Sequence, residues 1–512
     1  MNFAADLLDN AAPDGKAALL TLQGDVSYGE LRRKAREVAA YLVEQGLTPG
    51  ERILLLAEAS PFWVYAYLGI ALAGGVCVPL PTLSTAEGLA DIVTRTEPVC
   101  VFTQGQLLRR LHSEIVGHVP VVVDLMPKKR PPDLDCIPFA ALEHKGSAEF
   151  VAPVVADDDL ASIMFTSGST SQPRGVMVSH GNISSNTRDI IFSLGLDAGD
   201  RIMAVLPFFY CFGTSLLHTH LKAGGSVVID NRFLFPDKIL QHMIETGCTG
   251  LAGVPSTYQI LLRQSRMKQM RFPDLRKVQQ AGGRLPQAFI AELEKTLPDA
   301  QVFIMYGQTE ATARLSCISP SERRERPTSI GRGLMNVCLR LVDSQGAPVA
   351  TGEVGEIVAT GPNVTLGYWH DPQASAATFR NGWLYTGDLA TMDEDGFITI
   401  VDRAGDFLKC GGKRISCREV EENIHHFKGI VSAVVVGMPD ELLGEAVCLF
   451  AVHPDGDAVA DDLMQFCSQN LDRHVIPRRV IFLDSLPQNT SGKYDKLALK
   501  RILAQAGEMG GA

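Results

Sequence analysis

From Ala59 to Ala86 the chain carries no charged residue, and Phe62 to Leu80 is almost wholly apolar. A stretch that long either crosses a membrane or lies inside a core large enough to surround it. Gly74-Gly75 interrupts it, and Val76-Cys77-Val78-Pro79-Leu80-Pro81 follows as a short apolar run closed by proline. This punctuation predicts a buried helix ending at the glycine pair and a core strand after it, with no membrane span. At 512 residues the chain is long enough for roughly three structural units.

The same alternation recurs along the chain. Leu31 to Leu42 has apolar residues at helical spacing, whereas Arg52–Leu56, Arg201–Leu206 and Ser226–Ile229 read as strands. Amphipathic helices alternating with short apolar strands predict an α/β architecture with largely parallel sheets. After Gly331 the texture changes to short strands with close turns, such as Val337–Val342 before Asp343-Ser344-Gln345-Gly346, and Gly355–Thr360. That predicts a smaller β-rich subdomain. A second break falls at Val401 to Asp406; beyond it Glu419–Ile424 reads as helix and Val431–Val436 as strand. The expected organisation is a large N-terminal domain over 1–403, a hinge at 404–405 and a small α+β domain over 406–512. Gly507 to Ala512 is expected to be an unstructured tail.

Bulk properties narrow the function. A hydrophobic content of 46% with 21% charged residues is that of a globular chain, and a net charge of −11 disfavours a nucleic-acid partner. The basic clusters Lys128-Lys129-Arg130, Arg323-Arg324 and Arg263/Arg266/Lys268/Arg271 are expected on solvated surface. Eleven scattered cysteines without a CxxC pair fit a reducing compartment, and Met1–Asp6 lacks the basic start of a signal peptide. A cytoplasmic location is expected. His218 and His220 lie two apart and His425-His426 are adjacent, so neither pair suits a zinc site on a helix.

Directly after the apolar run Ala161–Phe165 comes Thr166-Ser167-Gly168-Ser169-Thr170-Ser171-Gln172-Pro173-Arg174-Gly175. Glycine lets backbone approach an oxyanion, and hydroxyl and N–H donors can then surround a phosphate. No Gly-Lys-Ser/Thr follows at the spacing of a Walker A loop. Four more segments follow: Tyr306-Gly307-Gln308-Thr309-Glu310, Tyr385-Thr386-Gly387-Asp388-Leu389, the run from Asp402-Arg403 to Gly412-Lys413-Arg414, and Pro487 to Lys493. In this order and over nearly the whole chain, Tyr28 to Lys496, they resemble the core motifs of the adenylate-forming enzymes. Those are the acyl- and aryl-CoA synthetases, peptide-synthetase adenylation domains and firefly luciferase, and the chain looks closest to the AMP-forming acyl-CoA synthetases.

The resemblance implies roles residue by residue. Thr166, Ser167, Gly168, Ser169, Thr170 and Arg174 would cradle ATP phosphates. Tyr306 and Gly307 would meet the adenine, Thr309 the phosphate oxygens, and Glu310 a Mg²⁺ ion. Gly282-Gly283 would edge the adenine and acyl pockets. Asp388, helped by Arg403, would accept the ribose hydroxyls. Lys493 would bridge the carboxylate and the α-phosphate from a small, mobile lid domain. Gly405 aligns with the hinge, and Gly411-Gly412 with a loop that passes the thiol arm. The chain departs from the family pattern at Ser171, where glycine is usual, at Arg174, where lysine is usual, and at Gly405, where a polar residue is usual.

Pro207 to Gly213 resembles the segment walling the substrate pocket, with Tyr210, Phe212 and Gly282 facing the acid. Amino-acid-activating members place an aspartate there, and this chain has none between Pro207 and His218. The expectation is therefore a hydrophobic acid, a fatty acid before an aryl acid. Coenzyme A is the expected acceptor, with a carrier protein's phosphopantetheine as the alternative. Retention of Glu310, Asp388, Arg403 and Lys493 argues against a non-catalytic nucleotide-binding relative.

Overall fold

The computed structural model describes residues 1–9, 12–111, 116–117, 119–142, 150–166, 173–403, 407–410, 413–440, 444–473, 475–489 and 492–508. At 403, 407, 409, 413, 414 and 506–508 it describes backbone alone. The uncharged segment folds as read. Ser60 caps a helix over Pro61–Leu72 by accepting from Trp63 N, and proline occupies its first turn. Gly74 then takes a φ of +77° and the chain enters the strand Val76–Leu80. Trp63 and Tyr67 stack at 4.8 Å within the largest core. Among the described residues no helix is long and apolar enough to cross a membrane.

Two α/β sheets form the bulk of the molecule. In the first, the strand order is Cys136–Pro138, Val121–Val123, Cys100–Thr103, Arg52–Leu56, Val76–Leu80, Leu160–Thr166 and Arg174–Ser179. These strands are parallel except at the final hairpin, where Thr166 pairs with Arg174. In the second, six parallel strands run Gln301–Tyr306, Lys277–Gln280, Gly250–Gly253, Arg201–Ala204, Ser226–Ile229 and Ala17–Thr21, with antiparallel strands at both edges. The third sheet is the β-rich unit: Cys338–Val342, Gly355–Thr360, Trp383–Met392 and Phe379–Arg380, with Ile398–Arg403 paired to the long strand. The fourth sheet begins at Phe407 and builds on the antiparallel pair Ser432–Asp440 and Gly444–Val452. It closes its own core around Leu408, Val435 and Leu449.

Two expectations are corrected. The last helix spans Lys496–Glu508, so Gly507 and Glu508 belong to it, because Leu499 and Leu503 bury one turn apart. Two of the basic clusters are not merely solvated. Arg323 is buried against Glu294, and Arg263 pairs with Glu292 at 2.7 Å while its guanidinium covers the Phe289 ring.

Candidate active site

Parallel sheets gather chemistry at the carboxyl ends of their strands, where loops and helix N-termini leave donors unsatisfied. Here both sheets open at those ends onto one cleft of about 1160 Å³. Thr166 ends a strand of the first sheet; Gly282-Gly283 and Gln308 to Glu310 follow strands of the second. The C-terminal domain closes the other side with Arg418, Glu421 and Lys493.

On the nucleotide side, Tyr306 leaves the end of its strand and donates through its hydroxyl to Asp388 Oδ2 at 2.6 Å. An irregularity inside the strand Trp383–Met392 places that carboxylate. Gly387 has a φ of +75°, and its N–H donates to Glu356 Oε1. Asp388 also pairs in register with Arg403, whose side chain is not described. Gly307 is demanded by packing: a Cβ there would lie 2.1 Å from the carbonyl oxygen of Ala313. Thr309 is buried and donates to Cys211 Sγ at 3.4 Å.

Glu310 Oε1 accepts from the Tyr368 hydroxyl at 2.8 Å, and the Arg174 guanidinium lies 5.3 Å from the centre of the Tyr368 ring. Burial, reinforced by Glu310, pushes the Tyr368 phenol well above its ordinary range, so it remains a donor. Arg174, Tyr368 and Glu310 thus form one stack joining the first phosphate motif to the second. A carboxylate oxygen at the cleft suits a hard divalent cation, and the bordering arginine suits phosphate. Among the described residues no group of three or more carboxylates, cysteines or histidines could hold a metal ion by itself.

Opposite this stack, Lys493 reaches across from the C-terminal domain. Its Nζ stands 5.6 Å from the Tyr210 ring centre. Gly282 has a φ of +84°, and a Cβ there would sit 2.9 Å from Val254 Cγ1, 3.6 Å from Lys493 Cε and 3.7 Å from the Tyr210 hydroxyl. Only glycine leaves these three groups convergent. Burial raises the Tyr210 phenol, and the Lys493 charge pulls it back. The lysine's loop is anchored, since the Gly492 carbonyl accepts from Ser256 Oγ at 2.7 Å.

One sequence expectation for the pocket is corrected. Phe212 does not line the cleft; it is 2% exposed and lies beneath the Arg314 guanidinium, 3.9 Å from its ring centre. Tyr210 is the N-cap residue of the α-helix Cys211–Lys222, so Phe212 in its first turn points inward while Tyr210 faces the cleft. Sequence reasoning also passed over Tyr368, Arg418 and Arg314 itself. Arg314 is 1% exposed, and burial lowers its pKa to about 10. The signal for it was a lone arginine in Ala311-Thr312-Ala313-Arg314-Leu315, directly after a motif. Ser167, Gly168, Ser169, Thr170, Ser171, Gly405, Gly411 and Gly412 lie outside the described residues.

Comparison with known proteins identifies the family of the chain. The family model for AMP-binding enzymes matches residues 8–369, and that for the AMP-binding enzyme C-terminal domain matches 419–493. A feruloyl-CoA synthase from Amycolatopsis is 31% identical, covering 93% of this chain and 94% of its own. A long-chain-fatty-acid–CoA ligase from Salmonella typhimurium is also 31% identical, with coverages of 91% and 88%. ATP-bound MatB from Rhodopseudomonas palustris, 30% identical over 98% of both chains, superposes with a TM-score of 0.85, against 0.76 for its apo form.

Proposed function

The chain belongs to the AMP-binding enzymes, and from that premise we propose that it joins a carboxylic acid to coenzyme A through an acyl-adenylate. The observation that carries this reading is the delivery of Lys493 to Tyr210 and Gly282, facing the Glu310 stack across one cleft. In the first step a carboxylate oxygen attacks the α-phosphorus of ATP and pyrophosphate leaves. Two anions must meet, so their positioning and neutralisation are what the site has to supply. Lys493 would hold the carboxylate against the α-phosphate, and Arg174 would meet the leaving phosphates. Thr309 would donate to phosphate oxygens, while Tyr306 and Asp388 would fix the adenine and ribose. Mg²⁺ held at Glu310 would supply further neutralisation of phosphate charge. In the second step the thiol sulfur attacks the acyl carbon, its proton is lost and AMP leaves.

A hydrophobic acid is favoured over an amino acid, because the segment from Pro207 to His218 offers no carboxylate to pair an ammonium. Relatives named for a fatty acid and for ferulate keep both the aliphatic and the aryl reading in view. All eleven cysteines are unpaired, the usage of a reducing compartment such as the cytoplasm. The test is pyrophosphate release from Mg-ATP over a panel of acids, with and without coenzyme A. Turnover should require a carboxylic acid and should yield its thioester when coenzyme A is present. Strong turnover with free amino acids and none with other acids would overturn the reading. A carrier-protein acceptor would appear instead as adenylate without thioester until holo carrier protein is added.

A further inference from the structure

One short segment, residues 365–369, is bonded to both phosphate motifs. On the side of the first sheet it runs beside the strand Arg174–Ser179. Trp369 N donates to the Gly175 carbonyl at 2.7 Å, Met177 N to the Gly367 carbonyl at 2.9 Å, and Leu366 N to the Met177 carbonyl at 3.0 Å. On the side of the second sheet, the Glu310 carbonyl accepts from both Thr365 N and Thr365 Oγ1 at 3.0 Å. Thr312, just beyond, holds a φ of +66°, unfavourable for a β-branched residue, and its Oγ1 donates to the Asn363 carbonyl at 2.7 Å. These bonds fix the spacing between Arg174 and Glu310, which stand far apart in the sequence.

Within the segment, Tyr368 meets both functional side chains at once, and all three line the cleft. Its hydroxyl donates to Glu310 Oε1 at 2.8 Å, and the Arg174 guanidinium lies 5.3 Å from its ring centre. The ring is held in place: Tyr368 is 5% exposed, its N–H donates to Ser375 Oγ at 2.9 Å, and Phe379 packs edge-on at 5.8 Å. Arg174 Nε also faces Asp371 Oδ2, but 3.9 Å is too long for a hydrogen bond. A planar guanidinium can lie on an aromatic face, whereas a compact, strongly hydrated ammonium gains less orientation from it. The arginine at position 174 and the fixed tyrosine therefore suit each other.

Resting on the ligase reading, we propose that Tyr368 is a positioning residue with two separable duties: its hydroxyl sets the Glu310 carboxylate for a divalent cation, and its ring sets the Arg174 guanidinium for the ATP phosphates. The hydroxyl bond engages Oε1 and leaves Oε2 to the cation. A carboxylate whose free rotation is stopped by a hydrogen bond binds a metal ion more tightly than one that must be ordered on binding. Tyr368→Phe removes the first duty alone, and Tyr368→Leu removes both.

The experiment measures binding first and turnover second. ATP affinity is determined without acid, once in EDTA and once with Mn²⁺, whose binding is followed by electron paramagnetic resonance; the ratio is the gain that the metal confers. Tyr368→Phe should cut that gain about 10-fold, the scale of losing a hydrogen bond to a ligating carboxylate, and leave the EDTA value unchanged. Tyr368→Leu should cut the gain equally and also weaken ATP in EDTA by about 3-fold, the scale of a partly exposed cation–ring contact. In an Arg174→Met background, Tyr368→Leu should add nothing to the EDTA loss, because the guanidinium it seats is gone. In pyrophosphate release, Tyr368→Phe should need more Mg²⁺ for half-saturation while KM for the acid stays as in wild type. An unchanged Mn²⁺ gain in Tyr368→Phe, an EDTA value in Tyr368→Leu matching that of Tyr368→Phe, or a parallel loss of affinity for ATP, metal and acid would overturn the proposal. No pyrophosphate release with any acid, alongside the expected Mn²⁺ and EDTA differences, would defeat the ligase reading and keep the assignment of Tyr368.

Discussion

Replacing Lys493 with alanine separates the two half-reactions. The ammonium stands at Tyr210 and beside Gly282, where the carboxylate and α-phosphate are proposed to meet. At ~4 Å, with an effective dielectric of ~20, a unit charge contributes about 4 kcal/mol to each anion it faces. Part of that is already present with bound substrates, so the differential for the transition state is smaller. Loss of one preorganised charge typically costs ~10²–10³ in rate, and adenylate formation should fall by that factor. The fold should survive, because Lys493 is exposed and its loop is anchored through the Gly492 carbonyl instead. Stopped-flow pyrophosphate release measures the first step. Pre-formed acyl-AMP with coenzyme A measures the second, which should proceed at a near-normal rate. Equal damage to both steps would reject the assignment of Lys493 to adenylation alone.

Three further outcomes follow from the geometry. Tyr306→Phe removes the donor to Asp388 Oδ2, a charge-assisted bond worth ~1.5–3 kcal/mol, so KM for ATP should rise about 10- to 100-fold with a smaller change in kcat; an unchanged KM would refute the role. Gly282→Ala forces a side chain onto a φ of +84° and within 2.9 Å of Val254, which should cost ~1–3 kcal/mol in a denaturant melt and slow adenylation; wild-type behaviour in both would show the convergence is slack. Burial lowers His218 and His425 to about 3 and His180 and His220 to about 4. These rings stay neutral when folded while the unfolded chain takes up protons below pH ~6.5, so stability is full above that value and falls as pH drops. The cost is up to about 2 kcal/mol per histidine at pH 5, and a melting temperature flat from pH 8 to 5 would contradict it.

Much of the fold was legible because local signals and tertiary demands agree. Gly74-Gly75 ends a helix whatever surrounds it, and the uncharged run before it can only be interior. The motif segments stand out in the sequence for a related reason: Thr166, Tyr306 and Arg403 each end a strand, so their spacing from the apolar runs before them is local. What escaped depends on distant partners. Arg323 reads as surface until Glu294, 29 residues earlier, is folded against it. Phe212 reads as a pocket wall until the helix turns it under Arg314. Arg314 reads as an ordinary arginine until Asn186, 128 positions away, fixes its backbone inside the core. Tyr368 likewise meets Glu310 only across a separation of 58 residues.

The seam between the two domains bears on how one cleft could serve two steps. It is joined by polar contacts: Ser256 Oγ to the Gly492 carbonyl, Gln287 N to Glu422 Oε1 at 2.8 Å, Arg284 to Glu422 at 3.4 Å, and the Tyr494 hydroxyl to Gln259. Water can replace the neutral contacts at a net cost of about 1 kcal/mol each and those to the Glu422 carboxylate at about 1.5–3 kcal/mol. The apolar cores, by contrast, remain within their own domains, with Leu408, Val435 and Leu449 on one side and Trp63, Tyr67 and Phe208 on the other. Separation would therefore expose little of what holds either domain together. His425 packs edge-to-face on Phe289 at 5.4 Å across that seam. A lysine presented across a boundary of exchangeable hydrogen bonds can be withdrawn once the adenylate exists, freeing the space beside Tyr210 and Gly282 for the thiol.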